Sequence, residues 1–241
     1  MNKTIFITGA AKRIGKEIAL TFKELGWNII IHYNSSKKDA DDLADQINKD
    51  NPNSAKTVQG NLDIKEDVQK ILSEVSDAFP SIDLLVNNAS TFYPTPIGEI
   101  SEDHWEKLVG SNLKGPLFLI QGLKEKLKES DGSIINITDT NLTKGVANYS
   151  IYSAAKAGLE AITKGLAREL APEIKVNAIA PGAMLEPPDV TWTEEQKSKV
   201  VESIPLKRMG SEKDIANTVK FLAHSEYVTG QTIKVDGGRS L

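Results

Sequence analysis

Tyr152 and Lys156 stand four residues apart in Tyr152-Ser153-Ala154-Ala155-Lys156. On a helix, positions i and i+4 share one face, so a phenol and an ammonium can enter the same pocket. A free tyrosine, with a pKa of about 10, is a poor proton donor at neutral pH. An ammonium at about 4 Å, in an effective dielectric near 20, favours the phenolate by about 4 kcal/mol, close to three pKa units before desolvation takes some back. That predicts a phenol near neutral pH, where general acid–base catalysis is most efficient. The competing reading is an amphipathic helix with a solvated lysine. Tyr149 has no lysine four residues on, so Tyr152 is the candidate.

A second chemical stretch is Thr8-Gly9-Ala10-Ala11-Lys12-Arg13-Ile14-Gly15, between an apolar run and a helical pattern. Gly9 permits a tight turn, Ile14 and Gly15 open the helix close to the sheet, and the exposed amides there suit a pyrophosphate. Arg13 stands where the middle glycine is usual, and with Lys12 it adds positive charge beside the phosphates of a dinucleotide. Farther on, where an NAD-selecting fold places Asp or Glu on the ribose 2′-hydroxyl, the residues are Asn34-Ser35-Ser36, then Lys37-Lys38. A neutral, hydroxyl-rich turn beside lysines accepts a 2′-phosphate, so NADPH is expected over NADH; against this, Asp39 is close and the lysines could simply be solvated. Asp63 is placed for an adenine amino group or is an exposed loop residue. Asn87 and Asn88 cap a turn or line the floor under a cofactor. Asn112 sits mid-helix, where asparagine is a poor helix former and marks a kink or a bound water.

These residues need a scaffold, and short β-branched runs alternate with helical patterns along the chain. Strands are predicted at Ile5 to Thr8, Asn28 to Tyr33, Ala55 to Gly60, Ile82 to Val86, Ser133 to Thr138, Lys175 to Ala180 and Thr232 to Asp236. Helical spacing recurs through Ile14, Ile18, Phe22 and Leu25, through Ala40, Leu43, Ala44 and Ile47, and through Val68, Ile71, Leu72 and Val75. Further helices start at Ser101 and near Ser211, and one holds Tyr152. Strands apolar on both faces and separated by helices imply an α/β fold, a doubly wound parallel sheet of about seven strands covered on both sides. No linker divides residues 1–241, so a single domain is expected. The stretch 183–210, with Pro187-Pro188 and an amphipathic run from Trp192 to Val201, is the one long excursion, and such excursions are usually lids or binding loops.

The totals narrow the function classes. The chain has 241 residues, 39% hydrophobic and 26% charged, a formal net charge of −4 and no cysteine. A mild acidic balance offers no basic face to nucleic acid and no anchor to anionic membranes. Disulfides and thiolate metal sites are unavailable, and His32, His104 and His224 lack ligand spacing, so no metal is expected. The opening Met1-Asn2-Lys3-Thr4-Ile5-Phe6 has no signal-peptide core, and a cytoplasmic location is the expectation.

Thr8-Gly9 to Gly15, Asn87-Asn88-Ala89, Asn112, Tyr152 with Lys156, and Pro181-Gly182 occur in the order and spacing of the short-chain dehydrogenase/reductase family, which the whole chain resembles. That resemblance implies a Rossmann fold, a catalytic set of Asn112, Tyr152 and Lys156, and cofactor contacts that include Asn88, Ala89, Lys156, Pro181 and Gly182. The family's serine, thirteen residues before the tyrosine, is Asp139 here. A serine hydroxyl donates to a ketone oxygen, whereas a carboxylate only accepts; Asp139 therefore suits a substrate with N–H donors, reduced at a C=N bond. Alternatively it caps a turn in an inactive protein.

Aspartate at that position, the Gly-Ala-Ala-Lys-Arg turn, His32-Tyr33-Asn34-Ser35-Ser36, the run Asn87 to Pro96 and the ending Lys234 to Leu241 resemble the pteridine reductase subgroup. What this implies is NADPH-dependent reduction of dihydropteridines or dihydrofolate. Phe92 would stack the pterin against the nicotinamide, Ser90 and Arg13 would touch it, and Tyr152 and Asp139 would handle protons. Lys156 would hold the nicotinamide ribose, Asn112 would keep a water on the proton path, and the molecule would be a homotetramer built on the helices of Asn112 and Tyr152. Two departures stand out: Ser35 replaces a frequent arginine, and the loop Ala183 to Pro188 is peculiar to this chain. Two alternatives remain open, a carbonyl reductase and a non-catalytic NADPH sensor.

Overall fold

The structure is a computed structural model that describes residues 2–184 and 192–241. Seven parallel strands form one sheet: β1 (Thr4–Ile7), β2 (Asn28–Tyr33), β3 (Ala55–Gln59), β4 (Leu84–Asn87), β5 (Ser133–Ile137), β6 (Lys175–Pro181) and β7 (Thr232–Val235), in the spatial order β3-β2-β1-β4-β5-β6-β7. The expected doubly wound architecture is thus present. The order reverses between β1 and β4, and ligands of such sheets bind beyond the strand carboxyl ends at that point. Asp139 follows β5, and the glycine turn follows β1, so both stand at this edge.

Alternation of side chains along each strand builds two cores. Ile5, Ile7, Ile29 and Ile31 face one way, where Ile18 and Phe22 of α1 (Arg13–Glu24), Leu43 and Ile47 of α2 (Lys37–Asp50) and Ile215 and Val219 of α8 (Glu212–His224) cover them. Phe6, Ile30, Leu85 and Ile134 face the other way, against Ile71 of α3 (Lys65–Ala78), Leu119 and Leu123 of α5 (Gly115–Glu129) and Ala167 of α6 (Ser150–Glu169). Because both faces are buried, the strands read as continuous apolar runs rather than alternating ones.

Two features bear directly on the site. The helix predicted from Ser101 begins with a capping box at that serine, then runs as α4 (Glu102–Val109), a π-helical turn (Gly110–Lys114) and α5. Asn112 lies in the π turn, as its poor fit to a regular helix suggested. The excursion after β6 holds α7 (Glu194–Glu202), started by Thr193 in a capping box. The residues Leu185 to Pro188 of the loop singled out above lie outside the described residues.

Candidate active site

The turn after β1 is held from both sides. Gly9 adopts a φ of +61° and Gly15 lies so close to it that a Cβ there would meet the Gly9 carbonyl oxygen at 2.4 Å, so only glycine lets the start of α1 pack against the turn. Asn88 Nδ2 donates to the carbonyls of Thr8 (2.9 Å) and Gly9 (3.1 Å), and Thr8 Oγ1 accepts from the amides of Asn88 (2.9 Å) and Ala89 (3.0 Å). Arg13 has a φ of +52°; a non-glycine residue there costs of order 1–2 kcal/mol, which explains why glycine is usual and shows that this chain accepts strain to place an arginine beside the turn.

The catalytic candidates converge. Tyr152 Oη donates to Asp139 Oδ2 at 2.9 Å, and Asp139 Oδ1 accepts the Asn141 amide at 2.7 Å, capping the 3-10 turn Thr140–Thr143. Lys156 is buried one helical turn on, and its Nζ donates to the Ile137 carbonyl at 2.8 Å. Asn112 Nδ2 donates to Thr91 (2.8 Å) and Leu108 (2.9 Å) carbonyls, while its Oδ1 accepts from Ser90 Oγ (2.8 Å).

A family profile described as enoyl-(acyl carrier protein) reductase matches residues 9–240. Among the similar proteins, the 3-oxoacyl-[acyl-carrier-protein] reductase FabG of Staphylococcus epidermidis is 38% identical over 242 residues, covering 99% of both chains. The chain belongs to the short-chain dehydrogenase/reductase family. Two further members are the 3-oxoacyl-[acyl-carrier-protein] reductase of Synechocystis, 35% identical over 238 residues (96% of this chain, 94% of the relative), and pteridine reductase 1 of Leishmania tarentolae, 33% identical over 279 residues (98% and 95%). Membership makes this an oxidoreductase, and the family works with NAD(P)H.

The surroundings of Tyr152 correct the electrostatic expectation for it. Its phenol is not brought down towards neutrality. Burial pushes its pKa well above the ordinary value, and the Asp139 carboxylate raises it further by charge and hydrogen bond, against a small lowering by the Ser90 hydroxyl. The Lys156 ammonium does not outweigh them: it is drawn to the Ile137 carbonyl at the end of β5, with Nζ 6.0 Å from the Tyr152 ring centroid. Burial lowers Lys156 itself to about 8, with Asp139 opposing the fall. In the free protein Tyr152 is therefore a phenol that holds its proton, and the spacing argument failed because it counted the lysine and not the carboxylate from the turn after β5.

The cofactor cradle fits a dinucleotide by two observations. The Gly9–Gly15 approach seats the N-terminal end of α1, where an anionic diphosphate is favoured, directly against the turn, and Asp63 Oδ1, after β3, is buried without a hydrogen-bond partner. Burial raises the Asp63 pKa, countered by Asn61 and by Lys107 and Lys114; an amino group donating to that oxygen would complete it. Asn34 and Ser35 are exposed at the end of β2, and the Ser36 side chain makes no capping bond at the start of α2. Lys37 and Lys38 pair with Asp41 and Asp42 one turn along α2, so the solvated reading of these lysines holds. Lys12 pairs with Asp39 at 3.0 Å, which neutralises the one carboxylate near the turn. Gly182 donates its amide to Val235 at 3.0 Å, and Thr140 Oγ1 donates to the Pro181 carbonyl at 3.1 Å, tying the end of β6 to the Asp139 loop.

On the substrate side, Phe92 is 49% exposed. One of its faces is stacked on Tyr149, with centroids 4.4 Å apart and planes 14° from parallel, and its ring meets Tyr152 edge-on at 4.8 Å. Sequence reasoning set Tyr149 aside for lack of a lysine; its position three residues before Tyr152, on the same helical face, was the available signal. Asn112 has both amide hydrogens engaged by carbonyls and its oxygen by Ser90, so it clamps the Ser90–Phe92 loop to α4 rather than presenting a free amide to water.

His32 was the larger omission. Its Nδ1 accepts the Gly9 amide at 3.1 Å and its Nε2 donates to the Gly60 carbonyl at 3.0 Å, with the ring 2% exposed. Burial lowers its pKa to about 4, partly opposed by the Gly60 bond. A histidine with a depressed folded pKa gives stability that is complete above the unfolded value of about 6.5 and lost as pH falls through the folded one. Between those limits His32 should remove roughly 3 kcal/mol, at about 1.4 kcal/mol per pH unit. Urea unfolding of the wild type and His32→Gln at intervals from pH 7 to 4.5 checks this: the wild-type advantage should shrink steadily as pH falls, and a constant gap would contradict it.

Proposed function

We propose that the protein reduces the C=N bond of a dihydropteridine, a dihydropterin or dihydrofolate, with NADPH. The supporting observation is the 2.9 Å bond from Tyr152 Oη to Asp139 Oδ2. A ketone oxygen in this site would meet one donor and one repelling carboxylate, whereas a heterocycle with ring or amino N–H groups pairs with both. When bound, NADPH would supply the hydride for the ring carbon of the C=N bond, whose electron pair would pass to the nitrogen. Tyr152 then gives its proton to that nitrogen. A nitrogen that has just received an electron pair is a strong base, so a phenol that keeps its proton at rest is a suitable donor. Asp139 holds the phenol in line and accepts a substrate N–H. Lys156, protonated below about 8, offsets the charge left on the phenolate and would hold the nicotinamide ribose. Phe92, fixed by Tyr149, offers its other face to a flat ring, worth about 0.5–1.5 kcal/mol beyond the buried area, with Ser90 and Arg13 beside it.

NADPH is preferred over NADH in this reading because the turn at Asn34 to Ser36 carries no carboxylate and Asp39 is already paired with Lys12. The stretch 183–210 would close over the substrate. Exposed Trp105, Leu117 and Phe118 on α4 and α5 support a homotetramer built on those helices and α6, and the chemistry suits the cytoplasm.

A second reading is reduction of a 3-oxoacyl thioester, favoured by the higher identity to the 3-oxoacyl-[acyl-carrier-protein] reductases. The experiment that separates them follows NADPH absorbance with dihydrobiopterin, dihydromonapterin, dihydrofolate, an acetoacetyl thioester and simple ketones, with NADH as control. Turnover of the pterins above the thioester is expected; thioester turnover with inert pterins would install the second reading.

A further inference from the structure

We infer that His32 is a positioning residue for the dinucleotide: its imidazole locks the diphosphate turn after β1 to the adenine-side loop after β3, so that the two halves of the cofactor cradle form one piece. This rests on the reading of that turn as the cofactor site. The turn meets His32 twice, since Gly9 donates to its ring and Ala10 donates to its carbonyl at 2.9 Å. On the far side the ring donates to Gly60, three residues before Asp63, and the Gly60 amide returns to Tyr33 at 3.2 Å. Half-buried Asn88 holds the carbonyls of the same turn, while the ring and the carbonyl of His32 hold its first two amides.

The two ring bonds allow a single neutral tautomer, with hydrogen on Nε2 and a lone pair on Nδ1. An imidazolium would aim an N–H at the Gly9 N–H. A leucine would fill the space but leave Gly9 N–H and Gly60 C=O unpaired in the core, and such groups turn elsewhere at the expense of the local geometry. Glutamine carries one acceptor and donors on a side chain of comparable reach, so it can play both roles.

The test titrates 2′,5′-ADP and 5′-ADP, which lack the nicotinamide, into the wild type, His32→Leu and His32→Gln by calorimetry at neutral pH. His32→Leu should bind 2′,5′-ADP about tenfold more weakly or worse, the size expected when a buried hydrogen bond is left unmade, and His32→Gln should stay within about threefold of the wild type. In the wild type, where no variant need fold, the NMR resonance of the imidazole Nδ1 should move as 2′,5′-ADP saturates. Equal affinities in wild type and His32→Leu, a glutamine variant as weak as the leucine one, or an unmoved Nδ1 resonance at saturation would each overturn the inference. A wild type that binds neither nucleotide overturns the cofactor reading beneath it instead.

Discussion

Tyr152→Phe should lower kcat/KM for the preferred substrate by about 10²–10⁴-fold, the range that a positioned general acid contributes, while NADPH still binds. The phenol donates to the Asp139 carboxylate at 2.9 Å while its ring meets Phe92 edge-on, and phenylalanine keeps its shape and its edge contact with that ring. Loss of the proton donor should therefore show in turnover and not in cofactor affinity measured by fluorescence. The pH profile sharpens the test. Because burial and Asp139 hold the Tyr152 proton in place, no limb near neutral pH should come from the phenol. Lys156, lowered to about 8, loses its charge above that pH, and the wild-type rate should fall there as the phenolate loses its counter-charge. A phenylalanine variant with turnover near that of the wild type would remove Tyr152 from the chemistry altogether.

What could be read from the sequence was what depends on period and local spacing. The seven strands were legible because residues such as Ile29, Ile30 and Ile31 are buried on both faces, and the strand ends differ from expectation by one or two residues because ladder bonds and not apolarity end a strand. Asn112 was legible as a helix defect because its side chain competes with the backbone. Distances across elements were not legible. That Asp139 meets Tyr152 came from a resemblance, since nothing in the spacing from β5 to α6 fixes a 2.9 Å contact. The direction of the Tyr152 shift was missed for the same reason: the i+4 lysine is local, the carboxylate and the Ile137 carbonyl that takes the ammonium are not. That Lys37 and Lys38 could simply be solvated was legible, because Asp41 and Asp42 stand at i+4, the local rule that pairs them. His32 entered only within a run that carried a resemblance, and its role was not legible, because a single buried histidine looks like any core residue until its two partners, Gly9 and Gly60, are known.

Asp139→Ser carries the other large effect, and it separates nitrogen from oxygen substrates. Serine is the informative replacement because it can still cap the 3-10 turn through its hydroxyl, as Asp139 does at Asn141, so the loop should keep its shape. What changes is the sign of the site. A carboxylate that accepts from a substrate N–H contributes about 1.5–3 kcal/mol as a charged hydrogen bond, which amounts to roughly 10- to 150-fold in kcat/KM; serine forfeits that with a dihydropteridine. With a ketone or 3-oxoacyl thioester, serine adds a donor beside Tyr152 and removes a repelling charge, so turnover should rise. Removing the carboxylate also withdraws its part of the upward push on the phenol, and the Tyr152 titration should move down in the variant. The measured quantity is the ratio of kcat/KM for dihydrobiopterin to that for the acetoacetyl thioester, which should fall by at least the same 10- to 150-fold. A ratio unchanged by Asp139→Ser would mean that the carboxylate only caps its turn, and the selection of a nitrogen heterocycle would then have to come from the Phe92 face.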